Sequence, residues 1–357
     1  MREDVLTLDG SYGEGGGQIL RTALSLSAVT ARPFRLTRIR SGRRNPGLLP
    51  QHLSAVRAAA AISGAIVSGD RLGSTELSFS PTHPPRYGSY IFDVAETAQR
   101  GSAGSVSLIL QTLLIPLALA DHASTLVLRG GTHVEWAPSF EDLVNAYFPA
   151  LRRIGFRIDA ELKRWGWYPV GNGEISCEIG IDRSAAELNP MQMVDHGPLR
   201  QIAGTAVAAN LPAHIPQRMV DRAQASLRDL GVPVNILPQR VTAAGPGAGI
   251  FLVATYDNMA ASFSGYGRLG KPSEAVADEA VAAFREHHSS GGAVELHLAD
   301  QLLLPLSLAA GSSTFTTPRP TSHLMTNAWT IDQFAIADVP IEQARPCRVS
   351  VQPRHGR

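Results

Sequence analysis

Three stretches of this 357-residue chain end alike: Gln18-Ile-Leu-Arg-Thr-Ala-Leu24-Ser-Leu26, Gln111-Thr-Leu-Leu-Ile-Pro-Leu117-Ala-Leu119 and Asp300-Gln-Leu-Leu-Leu-Pro-Leu306-Ser-Leu308. Each closes an apolar helix just before a turn and a strand, and self-similarity of this kind marks a repeated supersecondary unit. Working outward gives the order strand, helix A, strand, loop, helix B, strand, strand. The first copy reads 5–8, 17–30, 34–39, the loop Arg40-Ser-Gly-Arg43-Arg44-Asn-Pro-Gly47, 48–63, and short strands near Ile66 and Leu77. The second reads 90–94, 105–120, 125–128, the loop from Arg129 to Pro138, 140–154, 156–161 and 174–181. The third has helix A at 295–310, a strand at 314–316, a loop over 317–322, helix B from His323 and a last strand at 347–351.

Residues 185–292 do not follow the repeat. They hold helices at 218–230 and 273–288, strands at 232–237 and 249–254, and the turn-rich Gly245-Pro-Gly-Ala-Gly249. The expected fold is therefore α/β, more strictly α+β: three repeats form one large domain, 1–184 with 293–357, and 185–292 forms a smaller inserted α/β domain. Six residues before the first leucine of each closing Leu-x-Leu pair stand Gln18, Gln111 and Asp300. Each alone reads as an ordinary helix-face residue, but the threefold coincidence points to three groups aimed at one locus.

Composition narrows the function. The longest apolar stretch, 106–120, is interrupted by Gln111 and Pro116 and is short of the roughly 20 residues a membrane span needs, so it reads as a buried helix. Met1-Arg-Glu-Asp-Val is too charged to begin a signal peptide, and Cys177 and Cys347 lack metal or redox spacing, which suits a reducing cytoplasm. Residues 1–60 carry nine arginines against four acids, although the net charge of the whole is only +1. That is a modest candidate surface for a polyanion. Lys163 and Lys271 are the only lysines and neither lies in a Lys-x-Asp-Gly setting, which argues against lysine-AMP chemistry. Gly265-Tyr-Gly-Arg-Leu-Gly270-Lys271-Pro272 imitates a phosphate loop, yet Pro272 lacks both the hydroxyl and the N–H such a loop requires.

The candidate chemistry lies elsewhere. In Pro318-Arg319-Pro320-Thr-Ser-His323-Leu-Met-Thr-Asn327, two prolines forbid a helix before Thr321 and Ser322, which are good N-caps. His323 then falls in the first turn of a helix, where free N–H groups and the dipole favour anions and a neutral imidazole can attack phosphorus. A loop histidine with a satisfied hydrogen bond is the plainer alternative. Asp9-Gly-Ser-Tyr-Gly-Glu14-Gly-Gly-Gly-Gln18-Ile-Leu-Arg21 is a glycine-rich turn into a helix, with Glu14 suited to a divalent cation and Arg21 to phosphate. Arg40, Arg43 and Arg44 crowd the loop before Gln51 and His52, a cluster that repels itself unless solvated or binding anions.

Together these residues carry a resemblance to the RNA 3'-terminal phosphate cyclase family. Its blocks are Asp9-Gly to Arg21, Arg40-x-Gly-Arg-x-x-Pro-Gly-Leu-x-x-Gln-His52, Gly101-Ser-Ala-Gly104 with Gln111, Gly130-Gly-Thr132 with Ala137-Pro138, His297-Leu-Ala-Asp-Gln301 and Ser322-His323-Leu-x-Thr-Asn327. The similarity runs in order from about residue 7 to 335. It implies three βαβαββ repeats with a small insertion, and an ATP- and metal-dependent conversion of an RNA 3'-phosphate into a 2',3'-cyclic phosphodiester. His323 would carry AMP, with Mg or Mn as the divalent metal. By the same resemblance Gln111, Pro138, His297, Leu298, Ala299, Asp300 and Gln301 would contact ATP. Arg21, Arg40, Arg43, Gln51 and His52 would hold phosphates or the RNA end, and Glu14 the metal.

Departures from the family pattern are Ser102 where threonine is expected, Asn172 within a glycine stretch, and His133 after Gly-Gly-Thr132. Cyclase-like proteins of ribosome assembly share the scaffold and lack the histidine, so His323 favours the enzyme. A third reading is a binder of RNA 3'-ends that uses only the arginine loop.

Overall fold

The computed structural model describes residues 5–97, 103–182 and 187–354. In the first unit, Leu6–Asp9 runs parallel to Phe34–Thr37, which pairs antiparallel with Leu77–Ser80, which pairs in turn with Ile66–Ser68. A parallel step needs a crossover, and the helix Gln18–Thr30 supplies it. The second helix, Pro50–Ser63, leads to the edge strand Ile66–Ser68. The second unit keeps the same order with Ser89–Asp93, Ser124–Gly130, Gly173–Ile181 and Phe156–Arg164. Its helices are Val106–Ala118 and a segment over 140–154 that contains a π turn at Leu143–Tyr147.

The third unit has the same strand order, and its first strand lies where the sequence reading put the insertion. Gln192–Met193 pairs parallel with Ser313–Thr317, which pairs antiparallel with Cys347–Pro353, whose far neighbour is Ala337–Asp338. Expected domain limits at 184 and 185 fall partly on 183–186, outside the described residues, and they separate this strand from its own sheet. Two residues carry no periodicity, so only pairing identifies them. The remaining helices of this unit are Leu296–Leu306 and Ser322–Gln333.

The helices close a ring. The Pro50 helix packs on the Val106 helix, the 140–154 segment on the Leu296 helix, and the Ser322 helix on the Gln18 helix. Each unit's second helix thus meets the next unit's first, and the first helices of the first and second units also pack directly on each other. Pro116 illustrates how the contacts form: lacking an N–H, it leaves the carbonyl of Thr112 free, and Ser25 Oγ of the neighbouring helix donates to it at 2.7 Å. One buried apolar core includes Leu24, Phe34, Leu114, Phe148, Phe315 and Ile331, from all three units.

Between Met193 and the third unit's helices lies a four-stranded sheet of Leu199–Ala209, Val234–Val241, Gly247–Tyr256 and Ala260–Tyr266. His214–Leu227 and Ser273–Ser290 pack on it over a separate core of Met219, Leu227, Phe263 and Phe284. The strands Leu199–Ala209 and Ala260–Tyr266 escape the sequence reading because they are rich in alanine, glycine and serine, poor strand formers that here are held by pairing. Trp167 of the second unit packs with Val207, Ala209 and Phe251 and joins the two bodies. Lys271 Nζ donates to the carbonyl of Tyr266 at 2.8 Å and pairs with Glu279, so the imitation phosphate loop is tied up internally. Among the described residues no helix is long and apolar enough to cross a membrane, and both cysteines are free and buried.

Asn327 links the ring. Its Oδ1 accepts from Thr22 Oγ1 and its Nδ2 donates to the carbonyl of Asp300, both at 2.6 Å and both buried. Replacing Asn327 by alanine strands a buried hydroxyl and a carbonyl, and is expected to cost about 1–3 kcal/mol. A thermal unfolding scan checks this, with a midpoint several degrees below the parent as the expected result.

Candidate active site

His323 stands where the third unit's second helix begins. Thr321 is its N-cap, with Oγ1 accepting from Leu324 N at 3.0 Å, so the N–H groups of Ser322 and His323 have no intrahelical acceptor. The opposite face of this helix, Leu324, Ala328 and Ile331, is buried in the core, which turns the imidazole outward with its side chain 48% exposed.

Against this helix start lies the glycine-rich turn. Gly13 has φ +58°, and a Cβ there would sit 2.3 Å from Thr326 Oγ1, so only glycine allows so close an approach. Glu14 N donates to Thr326 Oγ1 at 3.2 Å, and Glu14 Oε2 comes to 3.1 Å from His323 Nε2. That oxygen is buried and lacks a hydrogen bond of proper geometry. Arg43 reaches over from the arginine loop and pairs with Glu14 Oε1, also donating to its carbonyl at 3.3 Å. A Cβ at Gly17 would lie 2.5 Å from His52 Nε2 and 3.1 Å from Arg21 Nη1, which places imidazole and guanidinium together behind the turn.

Behind His323 a polar chain crosses three helices. Arg21 Nη2 donates to Gln18 Oε1, Gln18 Nε2 donates to Thr22 Oγ1 at 3.4 Å, and Thr22 continues to Asn327 and the Asp300 carbonyl. A cavity of about 30 Å³ lies here, lined among others by Gln18, Arg21, Gln111, Tyr147, Gln301 and Asn327. It takes roughly one or two waters and is a polar floor rather than a nucleotide pocket. Gln111 Nε2 is buried there with no hydrogen-bond partner. Two larger open hollows, of about 630 and 580 Å³, lie along sheet edges and include none of these groups.

The electrostatics favour anions. Burial lowers the His323 pKa; Arg21, His297 and Arg43 push the same way, against the opposite pull of Glu14, so the imidazole is neutral near pH 7. Burial, with Arg21 and Arg40, drives His52 down to about 3. Burial raises Asp300 to about 7 despite His297 and Arg21. Glu295, the N-cap of the Leu296 helix, lies 2.8 Å from His297 Nδ1 and raises that imidazole to about 9.

The structure thus brings together Glu14, Arg21, Arg43, His52 and His323, and sets Gln111 and Gln301 around the floor below; Asp300 is buried but does not line that cavity, and its carboxyl feels His297 and Arg21 instead. Other expected residues face different partners. Arg40 Nη1 donates to the carbonyls of Asn45 at 2.7 Å and Gly47 at 3.0 Å, clamping its own loop. Gln51 Oε1 accepts from Ser105 N at 3.3 Å and joins the first unit to the second. Leu298 and Ala299 are core residues, which leaves them only backbone to offer a ligand. Pro138 is half-buried before the N-cap Ser139 and does not line the cavity. Of the Gly101 to Gly104 block, Gly101 and Ser102 lie outside the described residues. Glu295 and Tyr147 were not singled out from the sequence, and Thr326 stood there only as part of the Ser322 to Asn327 block; Glu295 had a signal, a carboxylate just ahead of an apolar helical run.

A neutral helix-start histidine, a glycine turn and nearby guanidinia are features that suit an anion such as phosphate. The family model described as RNA 3'-terminal phosphate cyclase matches residues 12–341, and the chain belongs to that family. An RNA 3'-terminal phosphate cyclase of Methylococcus capsulatus is 49% identical over 99% of this chain and 97% of its own length. One from Trichormus variabilis is 47% identical over 95% of this chain and 97% of its own length, and one from Salmonella agona is 40% identical over 96% and 95%. Among solved structures, the enolpyruvyl transferase NikO of Streptomyces tendae aligns with half of the chain at 15% identity and a TM-score of 0.27.

His52 gives this site a pH signature. Leu49 N donates to His52 Nδ1 at 3.1 Å, so the neutral ring carries its proton on Nε2, facing Gly17. Its folded pKa of about 3 lies below the ordinary 6.5, so the stability it contributes is present above 6.5 and is lost as pH falls through that window. In an NMR titration the His52 resonances are expected to stay fixed between about pH 5 and pH 8; a midpoint near the ordinary value would contradict the placement.

Proposed function

We propose that the protein converts an RNA 3'-terminal phosphate into a 2',3'-cyclic phosphodiester at the expense of ATP, with His323 as the nucleophile. The observation that carries this reading is the neutral, half-exposed imidazole at a helix start, beside Glu14 and within the field of Arg21 and Arg43. The names of the similar proteins support the same activity.

In the proposed sequence the imidazole forms a bond to the α-phosphorus of ATP while the bond to pyrophosphate breaks, leaving AMP on His323. An oxygen of the RNA 3'-phosphate then attacks that phosphorus and displaces the imidazole, giving an adenylylated end. The neighbouring 2'-hydroxyl attacks the terminal phosphorus, loses its proton, and AMP departs. The route follows from chemistry: a phosphate monoester has no good leaving group, AMP does leave, and the hydroxyl is already intramolecular. Arg21 and Arg43 offset phosphate charge, and the N–H groups at the helix start orient the anion. Gln111, with its orphaned amide, and Asp300 and Gln301 face the nucleotide from below, while His297 at the rim offers a ring for the base.

The site fits a divalent cation through a single carboxylate. Glu14 Oε2 is buried without a hydrogen bond, and no group of three His, Cys, Asp or Glu among the described residues is placed to hold a metal. A cation there would take its remaining ligands from phosphates and water, and would supply charge neutralisation on the triphosphate.

The test uses a 3'-phosphorylated oligoribonucleotide with ATP and Mg²⁺, scored by resistance of the end to phosphatase. His323→Ala is expected to lower the rate by more than about 10³-fold. Binding of the RNA with no ATP consumption by the parent protein would instead favour an end-binding protein. Glu14→Ala is expected to raise the metal concentration needed for half-maximal rate; an unchanged metal dependence removes Glu14 from the site.

A further inference from the structure

The glycine turn is laid along one face of the His323 helix in register. Residues 323, 326 and 329 are spaced i, i+3 and i+6 and so share a face of the helix. Opposite them come three consecutive turn residues in reverse order. Glu14 lies against His323, with Oε2 3.1 Å from Nε2; Gly13 lies against Thr326, close enough to exclude a Cβ; and Tyr12 lies against Trp329. The two rings are stacked, with centroids 4.2 Å apart and planes within 16°. Tyr12 remains 43% exposed, so the stack lies at the rim of the site and not in the core.

The register has a consequence for the carboxylate. Gly13 and Gly15 both have positive φ, and a turn built from Gly-Glu-Gly-Gly-Gly has little rigidity of its own. What fixes Glu14 is therefore external: the bond from its N–H to Thr326, the guanidinium of Arg43, and the aromatic stack two residues upstream. Arg43 belongs to another loop and is half exposed, whereas Thr326 and Trp329 belong to the same helix as the imidazole. A stacked aromatic pair of this kind favours one turn conformation over its neighbours by several-fold.

We propose that Tyr12 and Trp329 are positioning residues, whose stack fastens the glycine turn to the helix of His323 and so sets where the Glu14 carboxylate stands relative to the imidazole. The proposal rests on the reading of His323 as the nucleophile for its catalytic consequence, but not for its geometry. Neither residue touches the reacting atoms.

The test pairs crystal structures of the full-chain variants with the rate of AMP transfer from ATP to the protein. In Tyr12→Ala the Glu14 carboxylate is expected to leave its place beside His323 Nε2, and in Tyr12→Phe, which keeps the stack, to hold it; Trp329→Leu should reproduce Tyr12→Ala. AMP transfer at saturating ATP should slow by about tenfold in Tyr12→Ala, with the ATP concentration for half-maximal rate little changed, and should return to the parent rate in Tyr12→Phe. Adding Tyr12→Ala to Glu14→Gln should slow transfer no further than Glu14→Gln alone. A Glu14 carboxylate unmoved in Tyr12→Ala, or a parent rate in that variant while its unfolding temperature falls, would overturn the proposal and leave the stack a purely structural contact. Failure of the parent protein to acquire AMP would overturn the nucleophile reading and leave the structural comparison standing.

Discussion

A buried polar side chain needs a partner, and in this molecule that requirement ties three helices together. Asn327 can satisfy both ends of its amide only if the Gln18 helix presents Thr22 to one side and the Leu296 helix presents the carbonyl of Asp300 to the other. Leaving either end unmet costs about 1–3 kcal/mol in a buried setting, whereas many slightly different apolar packings would differ by less. The chain of bonds therefore selects one mutual placement. Asn327 is one turn beyond His323, and Asp300 one turn beyond His297, so fixing the amide also fixes where the two helix starts open.

The ring of helices gives three similar junctions, and His323 stands at one of them. The second position of each unit's second helix is occupied by Gln51, Glu141 and His323. The same backbone position lies at the same end of the dipole, although Pro50 leaves the first unit's helix start one N–H short. Gln51 accepts from the backbone of the next unit, and Glu141 holds His133 at 2.7 Å within an aromatic cluster with Trp165 and Trp167. His323 instead faces a glycine turn that leaves it half exposed. Repetition supplied the geometry three times; the glycines and the neighbouring arginines distinguish one copy from the other two.

Much of this was legible in the residues. The A helices announced themselves through apolar periodicity and the recurring leucine pairs, and Pro318, Pro320 and Thr321 fixed the start of the His323 helix. Gln18 and Gln111 do meet at one cavity, as their common place in the repeat suggested, but the third member of that set, Asp300, is absent from its lining, where the adjacent Gln301 stands. Less legible were contacts in which an expected ligand serves the fold. Nothing in a run of arginines distinguishes Arg40, which closes its own loop, from Arg43, which crosses to Glu14. Likewise Gln192–Met193 is too short to show a period, and the strand Leu199–Ala209 is too poor in β-branched residues to declare itself. Pairing partners distant in sequence decide such cases, and a single chain read in order does not display them.

The central claim is that His323 is the atom-bearing nucleophile of this site. Its most direct test is peptide mapping by mass spectrometry after incubating the protein with ATP and a divalent cation in the absence of RNA. The account predicts a mass increase of one adenylyl group on the peptide containing His323, lost on mild acid treatment as a phosphoramidate should be and released by subsequent addition of 3'-phosphorylated RNA. An adenylyl group found on Lys163, on Lys271 or on His52, or an acid-stable adduct on any residue, would contradict it.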